Sequence, residues 1–130
     1  MRKASLGVPR KRTAAEPPAV AQLYRAFADP TRLRILHLLR GRELCVGDLV
    51  TVLRVPQARA SRHLTYLRRA ALVSARRDGL WIHYSLAGAR GRVHKVLLKS
   101  LAACARELPQ IAADEDRYGA LRKAGGCCAR

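Results

Sequence analysis

The sequence predicts a mainly α-helical domain with one small β-hairpin, in the order α-α-α-α-β-β-α, and three observations predict it. Of 130 residues 49% are hydrophobic, yet only one Phe, one Trp and four Tyr are present. The core must therefore be built from Leu, Val, Ile and Ala, which suits packed helices in a single domain. Apolar residues recur at three- and four-residue spacing through most of the chain. That period breaks at Val73, where residues 73–77 and 80–86 turn strand-like. Asp78-Gly79 lies between them, the dipeptide that best tolerates the positive φ angles of a two-residue hairpin turn.

Taken in order, residues 1–16 are basic and small and lead into Pro17-Pro18, which reads as a disordered arm. A first helix is expected over 19–28, with Val20, Leu23, Tyr24 and Phe27 on one face. Asp29-Pro30 punctuates the chain as a helix cap followed by a proline at the first helical position, where a missing N–H costs nothing. The second helix, 31–39, directs Leu33 and Leu36 inward and is stopped by Gly41. A short third helix fits Val46–Leu53, since Val46, Leu49, Val50 and Leu53 fall at i, i+3, i+4 and i+7. Arg54-Val55-Pro56 makes a turn, because the residue before proline is pushed from helical geometry. The fourth helix opens at Pro56 or Gln57 and ends near Ala70. Its stripe of Leu64, Leu67, Ala71 and Leu72 leaves Arg59, Arg62, His63, Arg68 and Arg69 on other faces. A last helix over 92–108 carries Val93, Leu97, Leu101, Cys104 and Leu108 in one stripe and is stopped by Pro109. That helix has little to pack on within its own chain, so a homodimer through the first and last helices is expected. Residues 17–110 thus form the folded domain, and 111–130 a flexible cysteine-bearing tail. There are no internal repeats.

Charge narrows the class of partner. Lys and Arg number 26 against 9 Asp and Glu, a net charge of +17. Arg2, Lys3, Arg10, Lys11 and Arg12 account for only five of these, so the excess belongs to the whole chain. A polyanion is the natural partner, and double-stranded DNA fits best. The third helix, the turn and the fourth helix make a helix-turn-helix, and the hairpin after it makes a wing. Gln57, Arg59, Ser61, Arg62 and His63 lie in the first half of the reading helix. Gln and Arg can pair bidentately with A or G edges, whereas Ser and His more often position the backbone. For each of them, phosphate contact or plain exposure remains an alternative to base reading, and Arg62 and His63 can also pack or cap locally. Arg76 and Arg77 flank the hairpin turn and should meet phosphate or the minor groove, while Trp81 reads as hairpin packing. If each protomer neutralises three to five phosphates, affinity should fall with salt with a log–log slope of about −5 to −9. No apolar run approaches the ~20 residues of a membrane span. The basic N-terminus is followed by no continuous apolar stretch, so a secretory signal is not expected and a cytoplasmic location is. No phosphate loop, nucleophile elbow or paired-carboxylate constellation suggests an enzyme.

The arrangement resembles the ArsR/SmtB family of winged-helix repressors over roughly residues 19–108. The stretches carrying the resemblance are 27–36 (FADPTRLRIL), 43–49 (ELCVGDL), 61–64 (SRHL), 69–73 (RAALV) and 76–81 (RRDGLW). It implies a homodimer on a pseudo-palindromic operator that blocks transcription until an inducer binds, with no obligatory cofactor.

The thiols are where an inducer would act. Residues 43–50 resemble the family's arsenite-binding stretch, in which thiols stand at the positions of Cys45, Gly47 and Val50; only Cys45 is retained. One thiol cannot make the three-sulfur site that As(III) prefers, so Cys45 reads as a buried small apolar residue at a helix start. Cys127-Cys128 is a vicinal pair, which can close two S–As bonds around one arsenic. Cys104 sits on the apolar stripe of the last helix and can serve packing or binding. If the tail folds back, Cys104, Cys127 and Cys128 could hold As(III) or Sb(III), within or between protomers; the pair alone suits a monosubstituted organoarsenical such as methylarsenite. Thiol oxidation, a sulfur species or a soft metal such as Cd or Pb are the alternative signals. The family's zinc-type site on the last helix is not expected, because only His94 and the distant Glu107 are available there. His94 reads as a surface residue.

Overall fold

A computed structural model describes residues 19–126. The basic arm over 1–16, Cys127 and Cys128 lie outside the described residues. The elements run α1 (Val20–Phe27), α2 (Pro30–Leu38), β1 (Leu44–Cys45), α3 (Val46–Leu53), α4 (Gln57–Arg69), β2 (Val73–Asp78), β3 (Trp81–Leu86), α5 (Arg92–Glu107) and α6 (Pro109–Ala124). This is a winged helix-turn-helix, mainly helical with a small antiparallel sheet.

Local chemistry sets most boundaries where the sequence puts them. Asp29 caps α2, its Oδ2 accepting the Arg32 N–H at 3.0 Å with Pro30 at the first helical position; such a cap contributes about 1 kcal/mol. Arg54 closes α3 in the left-handed region, at φ 58°. The end of α4 is sealed by two backbone bonds, Ala71 N–H to Arg68 O and Leu72 N–H to Leu67 O, with Ala71 at φ 61°. This is a Schellman closure, usually made by glycine, and it turns the chain from helix into the wing.

The sheet has one strand more than expected. β1 pairs with β3 (Leu44 with Tyr84, Cys45 with His83), and β3 pairs with β2, giving the order β1-β3-β2. The short strand therefore joins the start of α3 to the wing. The hairpin loop is Gly79-Leu80 rather than Asp78-Gly79, because Asp78 still pairs with Trp81. Gly79 takes φ 64° as the first loop residue and Leu80 does not have a positive φ. That places the glycine where a type II′ turn needs it.

The core is aliphatic. Ile35, Leu36, Leu38, Leu39, Leu49, Leu53, Leu64, Leu67, Leu72 and Leu101 are fully buried, joined by Leu23 and Phe27 of α1. Val20, Tyr24 and Val96 remain exposed on α1 and α5.

The largest departure from the sequence reading is at the C-terminal side. Pro109 does not end the folded chain but opens α6, standing at its first position while Leu108 before it is extended (φ −116°, ψ 102°). Residues 111–124 are thus helix rather than flexible tail. α6 packs on α2, α3 and α5, so α5 does find a partner within its own chain. Ile111 is buried, and Tyr118 and Leu121 pack against the core from the same side. Between them stands Asp114, 1% exposed.

Asp114 holds this helix in place. Arg34 of α2 donates from Nε and Nη2 to its two carboxylate oxygens, both at 2.8 Å, and Nη2 also reaches Leu53 O at 2.8 Å. Arg117 Nη2 donates to Oδ1 at 2.7 Å, and its Nε donates to Val52 O. The two guanidiniums therefore satisfy both the buried carboxylate and the carbonyls at the end of α3. Hydrogen bonding to Asp114 raises the Arg34 pKa above its ordinary value, against the opposing effect of burial. At the surface of the same contact, Arg42 pairs with Glu115 (3.2 Å to each oxygen) and lies 4.1 Å above the Tyr118 ring. Removing one partner of a buried pair strands the other charge. Asp114→Ala should therefore lower the unfolding free energy by about 3–5 kcal/mol. Asp116→Ala, on the exposed side of α6, should shift it by no more than about 0.5 kcal/mol. Urea denaturation of the two variants checks both.

Candidate nucleic-acid interface and thiols

The reading helix α4 sits on α3 through Ala60, Leu64 and Leu67, all buried. That packing turns Gln57, Arg59, Ser61 and Arg62 outward, and all four are exposed. Farther along, Thr65, Arg68 and Arg69 are exposed as well, and Arg54 stands exposed in the turn before the helix. The N-terminal half of α4 thus presents amide, guanidinium and hydroxyl groups on a projecting face, the chemistry needed to meet base edges and phosphates.

His63 is placed differently. It is half-buried, with Nδ1 3.4 Å from Arg32 Nη1 and Nε2 3.8 Å from Asp29 Oδ2. Its ring belongs to a cluster that ties α1, α2 and α4 together. Arg32 anchors that cluster, donating to Ala26 O and Arg25 O at 2.9 Å each and lying 4.1 Å above the Tyr66 ring. Burial pushes the His63 pKa down, opposed by Asp29 and reinforced by Arg32, Arg59 and Arg62.

The two wing arginines also differ. Arg76 makes a two-point ion pair with Glu43, at 3.0 and 2.7 Å, just before β1. The same contact lowers the Glu43 pKa and raises that of Arg76. Arg77 is exposed and, among the described residues, its side chain donates to Gly79 O at 3.5 Å. Phosphate contact by Arg76 has to compete with Glu43; contact by Arg77 does not. Trp81, paired with Asp78 at the hairpin end, is 39% exposed.

Cys45 is buried, 2% exposed, at the N-cap of α3, where its Sγ accepts the Asp48 N–H at 3.5 Å. It is not simply a small apolar filler, for it is disulfide-bonded. Cys104, half-buried on α5, is a free thiol. Among the described residues no three His, Cys, Asp or Glu side chains come together to hold a metal ion. His94 is buried rather than on the surface; its Nδ1 accepts the Arg90 N–H at 3.1 Å, and among the described residues its Nε2 makes no hydrogen bond. No helix among the described residues is long and apolar enough to cross a membrane.

Three features escaped the sequence reading. The Glu43 clamp joins residues 33 positions apart, and the strand at Leu44–Cys45 is too short to show a period. Arg54 was read only as part of a turn, although the exposed basic residue beside Pro56 was visible.

Together, the projecting basic helix and the basic hairpin define a winged helix-turn-helix of the kind found in transcriptional regulators. Residues 29–75 match the family described as bacterial regulatory protein, arsR family. The chain is 43% identical over 65 residues to an uncharacterized HTH-type transcriptional regulator of Methanocaldococcus jannaschii, covering 49% of this chain and 73% of that one. It is 48% identical over 66 residues to the arsenical resistance operon repressor of Escherichia coli, covering 50% of this chain and 56% of the relative. A solved homodimeric winged helix-turn-helix DNA-binding domain from Mycobacterium bovis, described as a possible ArsR-family regulator, superposes with a TM-score of 0.55 at 32% identity. That match covers 75% of this chain and 80% of the other. The chain belongs to the ArsR family. It spans only about half the length of the Escherichia coli repressor.

Burial pushes the pKa of His37, His63 and His94 below the ordinary 6.5. For a base this means that the unfolded chain binds more protons, so stability rises with pH through that window. The contribution is present above pH 6.5 and is lost as pH falls below it. Urea midpoints should fall between pH 7.5 and 5.5, and His94→Gln should flatten that fall. In DNA binding, Arg77→Ala should reduce the salt slope by about one per protomer. Glu43→Gln should strengthen binding, because it frees Arg76.

Proposed function

We propose that this protein is a homodimeric repressor that holds operator DNA through the exposed face of α4 and the wing, and that trivalent arsenic bound by cysteine thiolates releases it. The observation that carries the DNA part is the outward set Gln57, Arg59, Ser61 and Arg62 on a helix seated on α3, with Arg77 beside it on the wing. Membership of a family that includes an arsenical resistance operon repressor supports the inducer. The thiol inventory supports it too: Cys45, Cys104 and the adjoining Cys127-Cys128 supply soft ligands, whereas no cluster of harder ligands assembles among the described residues. The exposed apolar residues Val20, Tyr24 and Val96 on α1 and α5 fit a dimer contact, as in the homodimeric Mycobacterium bovis domain.

Release requires the inducer to bind the DNA-incompetent conformation more tightly, by about 1–3 kcal/mol for a typical coupling. The disulfide at Cys45 favours one other reading, a repressor that senses oxidants. In that chemistry two thiols give up two electrons and two protons to hydrogen peroxide, forming a disulfide and two waters. Fluorescence anisotropy on operator DNA under full reduction separates the readings. Arsenite should raise the dissociation constant about 5- to 150-fold. Release by oxidant alone, with arsenite inert, would leave the oxidant reading and remove the arsenic one.

A further inference from the structure

We infer that the cavity between α1 and the start of α5 is a binding site for a small monocarboxylate with an apolar body, an assignment that does not depend on the arsenic reading. The cavity has a volume of about 250 Å³ and is lined by Val20 and Leu23 of α1 and by residues 90–94, which lead into α5. Pockets for drug-sized ligands span about 300–1,000 Å³, so this one suits a smaller molecule. Val20, Leu23 and Val93 give it apolar walls.

The polar part of the lining calls for an anion. His94 is 1% exposed, and its Nδ1 accepts the Arg90 N–H at 3.1 Å. Burial and the charge of Arg90 push the His94 pKa below its ordinary value, so at neutral pH the ring carries one proton. With Nδ1 occupied as an acceptor, that proton is on Nε2. Nε2 is therefore a buried donor, and among the described residues nothing accepts from it. A buried donor without an acceptor is costly, and a carboxylate oxygen is the acceptor that satisfies it best.

The helix that carries this ring points the same way. α5 runs for 16 residues from Arg92, with Gly91 at its cap; no side chain caps it and no acidic residue stands in its first turn. The first N–H groups of a helix have no partner within it, and their end of the helix carries partial positive charge. An anion seated there is stabilised by both. Arg92, exposed at the rim, adds a full positive charge. The donors thus come from α5 and much of the apolar wall from α1. A carboxylate meets the first, and an apolar body covers the second. Phosphate or sulfate would leave the apolar wall uncovered, and a neutral hydrocarbon would leave the His94 donor unsatisfied.

The test is isothermal titration calorimetry of the full chain with sodium phenylacetate, using 2-phenylethanol as the uncharged control. Phenylacetate should bind in the millimolar range or tighter, and the alcohol about tenfold more weakly or not at all. His94→Asn keeps a side-chain oxygen able to accept the Arg90 N–H but removes the donor at Nε2, and should weaken binding about tenfold or more. His94→Gln puts a donor back at that distance and should recover most of the affinity. Arg92→Ala, at an exposed position, should weaken binding about 2- to 5-fold and reads the site even if a variant at position 94 misfolds; circular dichroism checks the folds. Equal binding of the alcohol overturns the proposal, as does unaltered binding in both His94→Asn and Arg92→Ala. Val20 also belongs to the exposed apolar patch that fits a dimer contact. A chain that sediments as a dimer and gives no heat with phenylacetate overturns the proposal as well, and assigns the cavity to the contact between copies.

Discussion

The buried carboxylate of Asp114 is the point on which the arrangement of this chain depends. Without it, α6 would keep a thin apolar stripe of Ile111, Tyr118 and Leu121 and the surface pair of Glu115 with Arg42. With it, two guanidiniums converge on one carboxylate and at the same time satisfy Leu53 O and Val52 O at the end of α3. A buried pair of this kind adds little net stability compared with apolar packing, because desolvation offsets much of the attraction. What it supplies is position, since this register of α6 brings the carboxylate to Arg34 of α2 and the Arg117 guanidinium to Val52 O of α3. The supporting helix of the DNA reader is thus gripped by the C-terminal helix at one end, and the chain leaving α6 crosses it at the other.

From that follows the central place of α3 in the DNA-reading half. α4 packs on it, β1 links it to the wing, α6 is bolted to it, and Cys45 caps it. The cluster around Arg32, in which His63 takes part, holds the other side of α4 against α1 and α2. The reading helix therefore has a fixed side and a side that answers to α3.

Most of the DNA-reading half was legible in the sequence because its signals are local. The Asp29-Pro30 cap, the apolar spacing of Val46–Leu53, the turn before Gln57 and the change of period at Val73 each depend on neighbours a few residues away. What was illegible depends on distant partners. Asp114 interrupts an otherwise helical stripe, and only Arg34, 80 residues earlier, makes an aspartate acceptable in the core. Pro109 signals both the end of one helix and the start of another, and nothing local decides between them. His94 looked like a surface residue because its burial depends on packing between separate helices. Arg76 looked equivalent to Arg77 until Glu43 proved to lie beside it. The family was visible in short stretches of the chain.

The central claim is that Asp114 fixes α6 on α3 and so positions the helix that supports the DNA reader. Hydrogen–deuterium exchange of the full chain and of Asp114→Ala tests it most directly. The account predicts faster exchange throughout α6 and at the end of α3 in the variant, with the wing unchanged. Unaltered protection of α6 and α3 in the variant would contradict it.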